Sequence, residues 1–381
     1  MKITQLFRQV FLRINPLGKV ESIYEQTKQH VNGSTLNREV RIRYRLAKRE
    51  LERWDEFNVP LRERWNYWRR GFLTRSSVIY PFESWDDRNF ITDVERERSN
   101  YMNNWHGIAT RNKLLFSRQL RPLSEVYHPT VFAIVEAETV VPEQWDVSTD
   151  VSIFDILQQR EAVVLKPIYG YRGQGIYVIQ CPNPNTYLLN GEETTENDVR
   201  ELIASLSRYL VTEYIDQAAY LHAIYPEATN TLRLMTFRPS SAESPQIMAA
   251  VQRLGTDETS PTDNWSNNGI AAQIDRNAGE LMAAVGLRDG ERETFDEHPD
   301  TNARITGRQV PSWESIRERT VNAASVFPEL PYLAWDVVPR DEGPPAVIEA
   351  NAFPDVDILQ LREPLLERKR VKAFFEDHGI I

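Results

Sequence analysis

The stretch Glu161-Ala-Val-Val-Leu-Lys166-Pro-Ile-Tyr-Gly170-Tyr-Arg-Gly173-Gln-Gly175-Ile-Tyr-Val-Ile179 decides how this chain is read. An apolar run ends in Lys-Pro, a glycine-rich turn follows, and β-forming residues resume after Gly175, which predicts a hairpin with a flexible flap. Glycines at 170, 173 and 175 permit positive φ and close backbone approach, so successive N–H groups can converge on phosphate oxygens. Lys166 at the strand end adds a cation to the same place. A P-loop or a dinucleotide fingerprint would lead from its glycines into a helix, and this stretch leads into a strand.

A tight hairpin with a surface lysine is the plain alternative, and lysine usage argues against it. Between residues 76 and 368 the only lysines are Lys113 and Lys166, although arginine occurs throughout. A chain that keeps a compact ammonium at two places marks both as candidates for one nucleotide site.

Near the C-terminus, Tyr332-Leu-Ala-Trp-Asp336-Val-Val and Ala346-Val-Ile-Glu349-Ala-Asn351 read as neighbouring strands joined by a turn. Glu349 and Asn351 are two apart and share a strand face, and Asp336 can stand beside them. Oxygen donors next to phosphates suit Mg²⁺, with Mn²⁺ an alternative, and disfavour zinc. Solvent-facing spacers are the other reading, but flanking Val347, Ile348 and Phe353 place the strand inside, where unpaired carboxylates are costly.

Further strands are expected at Ala162–Lys166, Gly175–Gln180, Tyr209–Ile215, Leu232–Phe237, Ile247–Arg253, Ala271–Asp275, Leu333–Val338 and Ala346–Ala350. Helices are expected over Asn197–Ser207 and Ser312–Val326, with a surface helix over Arg38–Phe57 and a connecting loop from Tyr80 to Asn100. Short β-branched runs alternating with amphipathic helices indicate a mixed α/β or α+β enzyme rather than a bundle or sandwich. The expected segments are a basic helical extension (1–75), a linker with the first part of the nucleotide region (76–160), a glycine-loop subdomain (161–215), and a C-terminal subdomain carrying metal and substrate sites (216–381).

The 381 residues carry a net charge of −10 and one cysteine, Cys181. A lone cysteine forms no intramolecular disulfide or thiolate cluster and fits a reducing compartment. With no apolar stretch of membrane-spanning length and no secretion signal evident, a cytoplasmic protein is expected. Residues 1–75 hold 17 basic and 8 acidic side chains. That excess suits either a solvated helix face or contact with anionic lipid, nucleic acid or an acidic protein surface. No Ser/His/Asp order, zinc-ligand pair or aromatic–basic pattern points to a hydrolase, a metalloprotease or nucleic-acid binding.

The ordered set of motifs resembles the ATP-grasp superfamily from about residue 105 to the end. Lys113, in Arg111-Asn-Lys113-Leu-Leu-Phe116, looks like the first nucleotide lysine of that family and Lys166 like the second. Glu213-Tyr214-Ile215 resembles the hinge whose backbone reads adenine, and Asp336, Glu349 and Asn351 match the metal triad. Asn230-Thr-Leu-Arg233, Asp263-Asn264, Asn268-Gly269, Asp275, His298-Pro-Asp-Thr, Val310-Pro-Ser-Trp313 and Asp357-Ile-Leu-Gln360 look like the branch called sugar-transfer-associated ATP-grasp, related to α-L-glutamate ligase-like proteins. Asn268-Gly269 departs from two expected glycines and leaves the acceptor side open.

The resemblance implies two α+β subdomains clasping ATP, with Mg²⁺ as cofactor. It also implies a small carboxylate and an amine or sugar-linked acceptor, joined through an acyl phosphate. Lys166, Arg233 and Arg253 are the candidate catalytic residues. Either arginine could instead pair structurally with acidic neighbours. His298 and His222 could orient an acceptor or brace loops. A phosphotransferase acting on a small molecule or sugar and a noncatalytic nucleotide-binding partner of a membrane glycosyltransferase, docking through residues 1–75, are the competing functions.

Overall fold

The computed structural model of the chain describes residues 35–136, 139–142, 152–170, 175–184, 186–240 and 242–381. Met1–Arg13 and Gly173 lie outside these residues.

The chain divides into two compact units. The first takes the residues up to Tyr101 with Leu287–Glu293 and Asp355–Ile381. Its first helix among the described residues is Thr35–Glu52, which buries Ile42 and Leu46, one turn apart, against Val94 and leaves Val40 exposed. Buried Glu97 draws in Arg45, Arg49 and Arg96, while Arg64 pairs with Glu50 and Arg75 with Asp357. Part of the basic excess therefore neutralises carboxylates of its own unit. The expected loop from Tyr80 to Asn100 contains a helix, Asp93–Ser99, started by a reciprocal cap: the Thr92 hydroxyl accepts from Glu95 N–H and the Glu95 carboxylate accepts from Thr92 N–H. Thr-x-x-Glu is a legible start signal, masked here by the polar run before it.

Two sheets are built mainly from the second unit, Met102–Gly286 with Thr294–Pro354. The first contains β1 (Val131–Glu136), β2 (Thr139–Pro142), β3 (Ala162–Pro167), β4 (Tyr177–Asn183), β5 (Thr186–Leu189), β6 (Glu192–Thr194) and β7 (Ser207–Glu213), ordered β2-β1-β7-β3-β4-β5-β6. The second contains β8 (Leu232–Phe237), β9 (Gln246–Leu254), β10 (Ile270–Ile274), β11 (Leu281–Arg288), β12 (Glu291–Phe295), β13 (Tyr332–Val338) and β14 (Ala346–Asn351), ordered β12-β11-β10-β9-β8-β13-β14. Neighbours run antiparallel throughout the first sheet and from β11 to β14 in the second. Both sheets are mixed with helices, so the fold is α+β.

Helices Ile153–Arg160 and Glu196–Ser205 give Phe154, Leu157, Val199 and Ile203 to the first sheet's core, against Val163, Leu165, Ile179 and Val211. The second helix ends two residues before its expected limit because Leu206 turns extended and chain pairing resumes at Ser207. Helix Trp313–Ser325 lays Trp313, Ile316, Ala323 and Ala324 on Leu232, Leu234, Ala250, Leu333 and Trp335. Each leucine or isoleucine among them, fully buried, stabilises the unit by about 1.5–3 kcal/mol. The alternation that sends Leu232 and Leu234 into this core sends Arg233 to the opposite face. Among the described residues no helix is long and apolar enough to cross a membrane.

Candidate functional site

Charge on the second sheet is set by register. Arg233 on β8 lies directly opposite Asp336 on β13, and Asp336 lies opposite Glu349 on β14. Three charged side chains thus form a row across three strands, about 4.8 Å apart in the pairing direction. Plain alternation from Val347 would not place Glu349 there. Val347 pairs with Val337 on the core face, and Glu349 pairs with Asp336 on the other. The register shift at this point makes Ile348 an inserted residue that re-aims the carboxylate, a frequent use of bulges beside functional sites. Asn351 then follows on Glu349's face, opposite Ala334.

Asp336 is held by two guanidinium groups. Arg233 Nε lies 2.7 Å from Oδ1 and its Nη2 donates to Oδ2 at 3.2 Å; Arg253 Nη2 lies 3.3 Å from Oδ2. Arg253 also reaches buried Asp263 at 3.2 Å, and Asp263 accepts from the Thr231 N–H and hydroxyl. Burial by itself would disfavour the Arg253 charge, but Asp263, Asp336 and Glu349 outweigh it and raise its pKa above the usual arginine value. Both expected arginines are therefore at the site and both are paired with acids. Asp263 is a member of the cluster that the motif order contained without assigning it a role.

The lysines connect this row to the first sheet. Lys113 opens helix Lys113–Leu120; its N–H donates to Ile168 O at 3.0 Å and its Nζ donates to Gly170 O at 2.9 Å. The same Nζ stands 3.8 Å from Glu349 Oε1. Lys166, at the end of β3, is 9% exposed. Burial first, and the positive charge of Lys113 second, push its pKa down to about 8, with Glu349 opposing them. The glycines serve differently from one another: a Cβ on Gly170 would meet Pro167 at 2.7 Å, whereas Gly175 has φ +71° and would meet the Tyr209 hydroxyl at 2.6 Å.

The expected hinge is split. Glu213 ends β7 with both carboxylate oxygens engaged, Oε1 by the Tyr127 hydroxyl and Oε2 by Thr130 N–H at 3.0 Å. Burial and that bond push the Tyr127 pKa up to about 12. Tyr214 and Ile215 lie just past the strand end, Ile215 packed with Val338 and Ala346. His298 is fully buried, its Nε2 bonded to Gly255 O at 2.8 Å and its Nδ1 accepting from Asp300 N–H, so it braces its loop. His222 bonds Asp216 at 2.9 Å. His128, which no sequence signal singled out, lies half-buried with Nδ1 2.7 Å from Val347 O.

Among the described residues no group of three or more His, Cys, Asp or Glu is placed to hold a metal. The donors present are two opposed carboxylates and an amide whose oxygen accepts Phe353 N–H at 2.8 Å. That set fits Mg²⁺, which binds one or two carboxylates and completes its shell with water and phosphate oxygen. It does not fit an all-protein cage.

A family model described as sugar-transfer associated ATP-grasp matches residues 102–373. No match occurs among curated proteins. Solved structures that match part of the chain include the D-alanine–D-alanine ligase of Bacillus anthracis, at 11% identity and TM-score 0.34 over 65% of this chain and 57% of that one. The L-amino acid ligase of Bacillus licheniformis has 11% identity and TM-score 0.33 over 64% and 41%, respectively. The ATP-grasp ligase PsnB, complexed with precursor peptide PsnA2 and AMPPNP, has 12% identity and TM-score 0.39 over 72% and 62%. The chain thus spans about half the length of the solved structures it matches.

Proposed function

This chain belongs to the sugar-transfer associated ATP-grasp family, and from that premise we propose that it joins a carboxylate to an amine at the expense of ATP. The observation that carries the proposal is the row Glu349–Asp336–Arg233, with Lys113 Nζ 3.8 Å from Glu349 and bonded to Gly170 O. One ammonium thereby ties the start of the glycine loop to the carboxylate strand.

Lys113, Lys166, Gly170, Gly173 and Gly175 cradle the phosphates, and Glu213, Tyr214 and Ile215 border the adenine. Because the Glu213 carboxylate is bonded to Tyr127 and Thr130, its part is to fix the turn after β7, leaving the backbone groups of Tyr214 and Ile215 to meet the base. Asp336, Glu349 and Asn351 would hold Mg²⁺, which when bound would neutralise charge on the phosphate oxygens. Arg233 and Arg253 hold the substrate carboxylate. The γ-phosphoryl group passes to a carboxylate oxygen, giving an acyl phosphate and ADP. The amine nitrogen then attacks the acyl carbon, loses a proton, and expels phosphate. Such transfer depends on positioning and charge neutralisation, which the four cations and the acidic row supply.

The acceptor side is proposed to be an amine or sugar-linked group in cell-surface polysaccharide or glycoconjugate assembly, on the strength of the family's description alone. Product mass spectrometry after incubation with ATP, Mg²⁺ and a panel of carboxylates, amines and nucleotide sugars tests the reading. ADP formation requiring both a carboxylate and an amine supports it. A stable phosphorylated product from one acceptor replaces it with a phosphotransferase. Absence of Mg²⁺-dependent nucleotide binding overturns it.

A further inference from the structure

The segment Tyr127–Thr130 is bonded to both sheets of the second unit. Towards the first sheet, the Tyr127 hydroxyl and Thr130 N–H hold Glu213, and Thr130 O accepts Glu213 N–H at 2.9 Å. Towards the second, Tyr127 O accepts Val347 N–H at 2.9 Å and His128 Nδ1 meets Val347 O at 2.7 Å. Both backbone groups of Val347 are thus held by consecutive residues. Val347 is the last residue of β14 in core register before Ile348 is inserted and Glu349 emerges on the opposite face.

We propose that His128 is a positioning residue for Glu349: its Nδ1–H holds the carbonyl of Val347, and so sets the bulge that carries the carboxylate round to Asp336 and Lys113. A carbonyl oxygen only accepts, so Nδ1 carries the proton and the neutral tautomer is fixed. Burial, reinforced by the nearby Lys166 charge, pushes the His128 pKa down to about 3, so the ring stays neutral through the working pH range. Phe116 meets the ring edge-on at 5.4 Å and limits its rotation. Outer ligands of this kind tune a metal site through the groups they orient.

The magnesium part of the test rests on the ligase reading; the strand part does not. The full chain without metal is compared with its variants by hydrogen–deuterium exchange, followed by magnesium titrations of ATP binding. His128→Leu should speed exchange in the peptide containing Val347–Glu349 and raise the half-saturating Mg²⁺ concentration about tenfold. His128→Asn, whose amide N–H can stand where Nδ1 stood, should restore both to within about twofold, and His128→Gln, one bond longer, should not. Wild-type exchange in His128→Leu overturns the proposal, as does equal loss in the Asn and Gln variants. If the leucine variant fails to fold, the Asn–Gln difference decides. If the wild-type protein binds no Mg²⁺–ATP, the ligase reading fails, and the exchange comparison still decides whether His128 holds β14.

Discussion

On the second sheet Glu349, Asp336 and Arg233 face one another across hydrogen-bonded strands, whereas on the first Lys166 sits buried at the end of β3 with Leu210 as its cross-strand partner. The second sheet places acids and bases together, so its charges are compensated within the fold. The first places a cation where burial opposes its charge more than any neighbour supports it. Charge removal should therefore have opposite consequences for stability on the two sheets, even where it abolishes the same activity. Compensated charges hold geometry, and an undercompensated one is ready for an anionic ligand.

The largest effect is expected at Asp336. Replacing it by alanine leaves Arg233 and Arg253 facing each other with Asp263 and Glu349 as the acids near Arg253, and losing one partner of a largely buried ion pair costs up to about 3–5 kcal/mol. Urea unfolding should show that loss, and Asp336→Asn should retain part of the hydrogen bonding and lose less. A neutral effect would break the comparison at its second-sheet end.

Lys166→Met tests the other end. The folded pKa of about 8 lies below the usual lysine value of 10.5. Below pH 8 both states are charged and the cost of the buried ammonium is fully present; it is relieved as pH rises from about 8 to 10.5, where the unfolded chain binds more protons. The difference corresponds to about 3 kcal/mol. The methionine variant should therefore gain stability at pH 7, by at most that amount, while losing nucleotide binding. Thermal unfolding and calorimetric titration with ATP check both signs. A less stable methionine variant would mean that Lys166 is compensated as Asp336 is.

Gly175→Ala should cost about 1–3 kcal/mol, from a backbone at φ +71° and a Cβ driven against the Tyr209 hydroxyl. Combining it with Tyr209→Phe should recover the steric share and leave the backbone share, separating the two causes in an unfolding series.

The same contrast explains what was legible. Strand interiors were visible because Ala162–Lys166, Leu232–Phe237 and Leu333–Val338 carry dense apolar runs, and Glu349-Ala-Asn351 kept its two-residue spacing in the structure. The short edge strand Glu192–Thr194 was not, since an edge needs no apolar alternation. The motif order brought Arg233, Arg253, Asp336 and Glu349 into one chemical context, but pairing between them depends on register across four strands, which local sequence does not encode. The Ile348 bulge and the Tyr127–Thr130 tie are long-range in the same sense. His128 is ordinary in sequence and acquires its place only when β14 folds beside it.

The smallest expected effect sharpens the first-sheet end most directly. If Lys166 meets phosphate as an ammonium, ATP binding above pH 8 must bring a proton with it, because the free protein has begun to lose that proton. The charged fraction falls about threefold between pH 7.5 and 8.5 for a pKa near 8, and ATP affinity should weaken by the same factor. Over that interval ATP gains no further charge, so its own ionisation does not imitate the effect. Lys166→Arg supplies the control: a guanidinium does not titrate there, so whatever affinity it retains should be flat with pH. Titrations in buffers of different ionisation enthalpy would count the proton taken up. Equal pH slopes in the wild type and the arginine variant would place the titrating group elsewhere and remove the distinction drawn between the sheets.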